Sequence, residues 1–225
     1  MYKPVILIGN DMAAGILLGY LHTDQRYKIL GSAVDDAYVD KNALSSLPCV
    51  GLSRITELFP PDKHTVIMAI GYSDLNRTRE SMFTKVKALG YTLLTYIHPD
   101  AKVYSENPVG EGSVILPNAV IEPHACVGAN TVIWCNTTVA HHAVVEDHCW
   151  IAAGTVLSGQ VKVGRNSFVG VNATIANKVE IGEYNFVGAA ALISKCTKPY
   201  AVHLARSGEL FRYSSEDYIK HFGVR

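Results

Sequence analysis

The sequence predicts a small α/β domain with a Rossmann-like parallel sheet, followed by an all-β left-handed parallel β-helix and a short C-terminal tail with a helix. Three observations carry this. From Ile97 to Ile193 every sixth residue is Val, Ile or Leu, seventeen positions without a break in phase. Four residues after each stands a small residue in fifteen cases, Asn107 and Asn185 being the exceptions. Strand-like and helix-like segments alternate over the first ninety-six residues. No helix has a period of six and a hairpin sheet has no reason to keep one, whereas the hexapeptide repeat of a β-helix does. Strand–helix alternation implies a parallel sheet with helices on its faces. The boundaries are then 1–96, 97–198 and 199–225.

In chain order, Val5 to Ile8 reads as a buried strand ending at Gly9, and Met12 to Leu21 has helical spacing. Lys28 to Val34 is the next strand, ending at Asp35 and Asp36. A polar loop and a short helix near Ile55–Phe59 lead to a third strand, Thr65 to Ile70, closed by Gly71. Ser73 to Leu89 reads as an amphipathic helix capped by Gly90, and Thr92 to Ile97 as a fourth strand. Parallel sheets bind ligands beyond the carboxyl ends of their strands, which points to Gly9, Asn10, Asp11, Asp35, Asp36 and Gly71. The first turn keeps only the first glycine of a G-x-G-x-x-G pattern. Asp11 stands where the second belongs and would repel a pyrophosphate, against a dinucleotide cofactor.

Three hexads make a triangular coil of eighteen residues, so residue n lies one strand spacing, about 4.8 Å, from residue n+18. Asn118, Asn136, Gly154 and Asn172 form a ladder of turn residues suited to left-handed backbone. Trp150, Phe168 and Phe186 stack on an outward position and predict a domain or oligomer contact. A third ladder places His124 under His142, with Gln160 above, and His141 beside Gly159. A thioester carbonyl could approach the bare Gly159 N–H while His141 accepts a proton from an attacking amine.

Twenty basic and twenty acidic residues give zero net charge, against a nucleic-acid partner. No apolar run approaches the roughly 18 residues of a membrane span, and the first strand is too short for a signal-peptide core. The five cysteines form no C-x-x-C pair, and Cys149 falls on an inward position as a small hydrophobe. A reduced, cytoplasmic setting is expected.

With these residues in place, the chain resembles the sugar N-acyltransferases of the PglD/NeuD/PerB type. Their catalytic segment is similar to Val139-Ala140-His141-His142. The resemblance implies acetyl transfer from acetyl-CoA to the amine of a nucleotide-linked amino sugar for bacterial glycans, without a metal. It implies a homotrimer with active sites at subunit interfaces. The first domain holds the nucleotide, and acetyl-CoA lies along the β-helix at Gly159, Val171 and Ala189. His141 falls on the general base and Gly159 on the glycine whose N–H meets the acyl carbonyl. His142, which orients His141 or serves as an alternative base, stands where the family usually has Glu or Asp. The first turn is reduced, and the family's Gly-x-Pro-Ala-like ending is replaced by Pro199 and a tail. There Ser215, Asp217 and Tyr218 suggest a capped helix covering the last coil.

Two other classes use the same features. A zinc hydratase resembling the γ-class carbonic anhydrases would draw on His124, His142 and His148, though the spacing of six between the last two departs from that family's shorter interval. A non-catalytic module binding a nucleotide sugar would leave the His141/Gly159 pair without a role. Acylation of a hydroxyl is a variant of the leading reading.

Overall fold

The structure is a computed structural model, and it describes residues 2–41, 44 and 47–223. The first domain is a parallel four-stranded sheet in the order β3-β2-β1-β4, with β1 Lys3–Ile8, β2 Tyr27–Val34, β3 Cys49–Gly51 and β4 Thr65–Met68. Val5 to Ile8 and Val66 to Met68 are almost fully buried between helices α1 Met12–Thr23 and α3 Arg77–Ala88, with α2 Ile55–Leu58 nearby. Gly9 leaves β1 with φ of 132°, and a Cβ there would meet the Ala69 carbonyl oxygen at 2.5 Å. Only glycine permits that approach.

Two elements differ from the expectation. The segment 92–97 adds a single bridge, Leu93 to Val66, and then leaves the sheet at Tyr96–Ile97 to start the β-helix. The fourth strand is instead Cys49–Gly51. The helix expected from Ser73 starts at Arg77, because Asp74, Leu75 and Asn76 all have left-handed φ, between 48° and 61°.

The repeat forms a triangular prism of three parallel sheets. The first face carries Tyr96–Ile97, Val114–Ile115, Val132–Ile133, Trp150–Ile151, Phe168–Val169, Phe186–Val187 and Val202–His203. The second runs from Lys102–Val103 to Leu192–Ile193 in six strands, and the third from Cys126–Val127 to Glu180–Ile181 in four. Pairing is in steps of eighteen: Val132 with Trp150, Thr138 with Val156, Val144 with Lys162. The aliphatic and small positions fill one continuous core. Every sixth residue from Gly112 to Ala190 has positive φ. The left-handed corner therefore includes His124, His142, His148, Gln160, Lys178 and Tyr184 as well as the asparagines.

The first domain sits on the first face. The Tyr72 ring lies 4.5 Å from Phe168 and 5.3 Å from Trp150, and Phe168 stacks on Phe186. The aromatic ladder is thus a domain contact. Beside it, α3 plugs the corner joining the third and first faces. Arg79 is fully buried there and donates to Asn130 O, Asn130 Oδ1, His148 O and Cys149 O. Asn76 donates to Asn166 O and Ser167 O, and Glu80 accepts from Arg165 and Asn166.

The tail helix α4 Ser215–Phe222 is capped by Ser214, not Ser215: the Ser214 Oγ accepts from the Asp217 N–H at 3.1 Å. It has no buried residue. The last coil is instead continued on the first face by Val202–His203, which pairs with Phe186–Val187.

His148 is buried at the domain contact, where Asn130 Nδ2 donates to its Nδ1 at 2.9 Å and its Nε2 faces Glu80. Burial pulls its pKa below the ordinary 6.5, opposed by Glu80 and assisted by Arg79. The unfolded chain therefore takes up this proton more readily than the folded one. His148 contributes nothing well above pH 6.5 and a growing penalty as pH falls through that value. The difference in stability between the chain and His148→Asn, measured by denaturant unfolding, should change in favour of the variant from pH 7.5 to 5.5. Asparagine suits the turn, since Asn130 and Asn166 hold the adjacent rungs. A pH-independent difference would refute the assignment.

Candidate functional site

The corner between the second and third faces carries His141, His142, Gly159, His124 and Gln160. The hexad repeat fixes their heights, and the left-handed residue of each turn fixes their directions. The His141 ring lies directly over Gly159: a Cβ on residue 159 would be 2.6 Å from both Cε1 and Nε2 of the imidazole. The glycine thus provides a flat seat that any other residue would fill. Among the described residues the Gly159 N–H has no acceptor, although its carbonyl accepts from Lys178. A free N–H beside an imidazole nitrogen is what an acyl carbonyl and its attacking nucleophile require.

His141 is anchored on two sides. Its backbone N–H donates to Glu122 Oε2 at 2.7 Å, and its Nδ1 is 3.2 Å from His142 Nδ1. The two rings meet edge to face, with centroids 5.4 Å apart. His142 occupies the left-handed position with φ of 59° and leans on His124, ring to ring at 4.6 Å. His124 Nδ1 is 2.5 Å from Glu106 Oε1. Glu106 and Glu122 were missed in the sequence. Glu106 is legible as the residue eighteen before His124, and Glu122 has no such signal because it contacts a backbone group.

Val171 and Ala189 lie elsewhere, at the corner between the first and second faces. Both are exposed, and neither N–H has an acceptor among the described residues. The second face separates them from Gly159.

The first-domain candidates share one rim, the carboxyl end of the parallel sheet. Asp11 is the N-cap of α1, accepting from the N–H groups of Ala13 at 2.9 Å and Ala14 at 3.3 Å. That carboxylate takes the helix N-terminus a phosphate would otherwise use. The Asn10 side chain donates to the Tyr38 carbonyl. Asp35 pairs with Lys85 at 2.9 Å, and Asp36 accepts from Ser53 Oγ at 2.5 Å, which with the Ser53 N–H holds its carboxyl below the usual range. A Cβ on Gly71 would meet nothing nearer than the Ala13 Cβ at 4.0 Å among the described residues. Between the domains lies an apolar cavity of about 30 Å³ lined by Ile16, Met68, Ile70, Trp134 and Trp150, too small for a sugar nucleotide.

The rim and the His141 corner are not brought together in one chain. The first domain covers the first face, and His141 stands at the opposite edge of the prism.

The three candidate zinc ligands are not gathered within one chain. His148 is on a different corner from His124 and His142, sealed by Phe83, Asn130 and Glu80. Among the described residues no group of three or more His, Cys, Asp or Glu is placed to hold a metal ion. Cys149 is no nucleophile either, since burial pushes its thiol up to about 12. All five cysteines are unpaired, and no helix among the described residues is long and apolar enough to cross a membrane.

Residues 142–177 match the family model "Bacterial transferase hexapeptide (six repeats)". No curated protein sequence matches the chain. Solved structures similar to it include the acetyltransferase domain of PglB from Neisseria gonorrhoeae, at 22% identity and a TM-score of 0.80, covering 90% of this chain and 97% of that one. PerB from Caulobacter crescentus, in complex with CoA and GDP-perosamine, has 23% identity and a TM-score of 0.80, covering 91% and 95%. WeeI from Acinetobacter baumannii has 18% identity and a TM-score of 0.77, covering 90% and 96%. These likenesses establish the two-domain fold along almost the whole chain.

Proposed function

We propose that this chain is an acetyl-CoA-dependent N-acetyltransferase acting on the amino group of a nucleotide-linked amino sugar, such as a dideoxy sugar, in bacterial glycan biosynthesis. The observation that carries this is the His141 imidazole seated on Gly159, whose N–H is free. Two of the similar structures hold fitting ligands: the PglB domain is known with acetyl coenzyme A, and PerB with CoA and GDP-perosamine.

The reaction is a direct attack. The sugar amine adds to the thioester carbonyl carbon while His141 Nε2 takes a proton from the nitrogen. The Gly159 N–H bonds the carbonyl oxygen as it gains negative charge. Collapse breaks the C–S bond, the proton passes to the CoA sulfur, and the amide and free CoA leave. His142 orients the base through its Nδ1. No metal takes part.

Because the nucleotide rim and His141 lie on opposite sides of one chain, a neighbouring protomer must bring the second half of the site. A homotrimer with shared sites answers this, and Val171 and Ala189 then face acetyl-CoA from an adjacent corner. The unpaired cysteines suit a cytoplasmic enzyme. The test is CoA release from acetyl-CoA across a panel of UDP-, dTDP- and GDP-linked amino sugars. Turnover with at least one amine and none with its hydroxyl counterpart is expected. Nucleotide-sugar binding without CoA release from any member would favour the non-catalytic module instead.

A further inference from the structure

The corner ladder reads Glu106, His124, His142, Gln160, Lys178 in successive coils, and its first three members touch in sequence. Glu106 accepts from His124 twice, at Nδ1 (2.5 Å) and at the backbone N–H (3.4 Å). The His124 ring packs on His142 with 42° between planes. His142 Nδ1 then meets His141 Nδ1 at 3.2 Å. Two facing Nδ1 atoms at that distance hold one proton between them. For His141 to offer a bare Nε2 to an amine, its own Nδ1 must hold that proton and His142 must accept it. His142 is then neutral, with its proton on Nε2.

We propose that Glu106 and His124 are positioning residues for the reaction assigned above, fixing the His142 ring so that it accepts from His141. The carboxylate that would ordinarily stand next to the base is thereby supplied from two coils away. This rests on the acyl-transfer reading. Glu106 is suited to the task, since its own backbone N–H and the His124 ring hold its carboxyl below the usual range. The other carboxylate at this corner, Glu122, is engaged by the His141 backbone N–H and leaves the ladder to Glu106.

The test uses the full chain with Glu106→Gln and His124→Asn. Asparagine already holds the left-handed turn at Asn118, Asn136 and Asn172, so the fold is retained. Each change should lower kcat roughly five- to thirtyfold, a normal coupling for residues in one network, with KM and Tm little moved. In a His142→Asn background Glu106→Gln should add nothing. A kcat within twofold of the parent, or a loss undiminished in that background, overturns the proposal. Ring ¹⁵N spectra of histidine-labelled protein read the same link without turnover. His142 should hold a single Nε2-protonated tautomer in the parent and lose it in Glu106→Gln, and spectra unchanged by that substitution overturn the proposal. If the parent turns over no substrate but the spectra respond, the positioning pair stands and the acyl-transfer reading falls.

Discussion

His141→Ala is expected to lower kcat by about 10²–10⁴, the range for losing a general base, with little change in KM for acetyl-CoA. The expectation rests on where the ring is held. Its backbone is tied to Glu122, its Nδ1 to His142, and its Cε1 and Nε2 lie over Gly159, so Nε2 is the ring nitrogen without a hydrogen-bond partner among the described residues. His141→Asn should be nearly as damaging, because an amide keeps a polar group but removes no proton. Gly159→Ala probes the seat without touching the base. Its methyl would come within 2.6 Å of the imidazole, so the ring must swing away. A misplacement of about 1 Å can cost up to about 10²-fold, and this variant should fall between the parent and His141→Ala. The readout is steady-state CoA release with the best substrate of the panel. Parent-like turnover by His141→Ala would remove His141 from the chemistry, and a greater loss in His142→Ala would exchange the two roles.

The pair behind that prediction was legible in the sequence because the repeat acts as a ruler. Once each coil is eighteen residues, His141 must lie against Gly159 and His124 under His142, and the observed pairings keep that register throughout. The role of His142 was less legible. Read along the chain it is the neighbour of His141; read up the corner it is one of a run of left-handed turn residues, and its ring is directed by both demands. The first domain has no such ruler. Cys49–Gly51 follows Pro48 and ends in glycine, which reads as loop, and becomes a strand only by pairing with Ser32 to Val34. Nothing local predicts three left-handed residues at Asp74-Leu75-Asn76, where leucine is disfavoured by roughly 1–2 kcal/mol. That turn exists because tertiary contacts draw Asn76 into the β-helix corner, fully buried against Asn166 and Ser167. The rim at the carboxyl end of the sheet is hardest of all: Asp11, Asp35 and Asp36 each have a structural partner, so their acidity alone does not mark a ligand.

Arg79→Met is expected to destabilise the chain by about 3–5 kcal/mol. Buried arginines are often poor contributors, because desolvation can exceed what a partner returns. Here magnitudes decide the other way. Burial opposes the charge and brings the Arg79 pKa down from 12.5 to about 10, a cost on the order of 3 kcal/mol. Against that stand four bonds from a charged donor to Asn130 O, Asn130 Oδ1, His148 O and Cys149 O, each worth roughly 1.5–3 kcal/mol. The Cys149 carbonyl keeps the Val132 N–H when the guanidinium goes, but the Asn130 and His148 carbonyls have no other donor among the described residues. Methionine fills much of the volume and satisfies neither. Arg79→Lys should recover less than half, since a single ammonium cannot fork between two rungs of the corner as the planar guanidinium does. At roughly 2–4 °C per kcal/mol for a chain of this size, the methionine variant should melt about 6–20 °C lower. A loss under about 1 kcal/mol in denaturant unfolding would mean that the apolar contacts of Tyr72, Trp150 and Phe168 hold the domains together unaided. Because Arg79 lies on a different corner from His141, its substitution should leave kcat intact at temperatures where the variant is folded, which separates the clamp from the proposed role of the His141 corner.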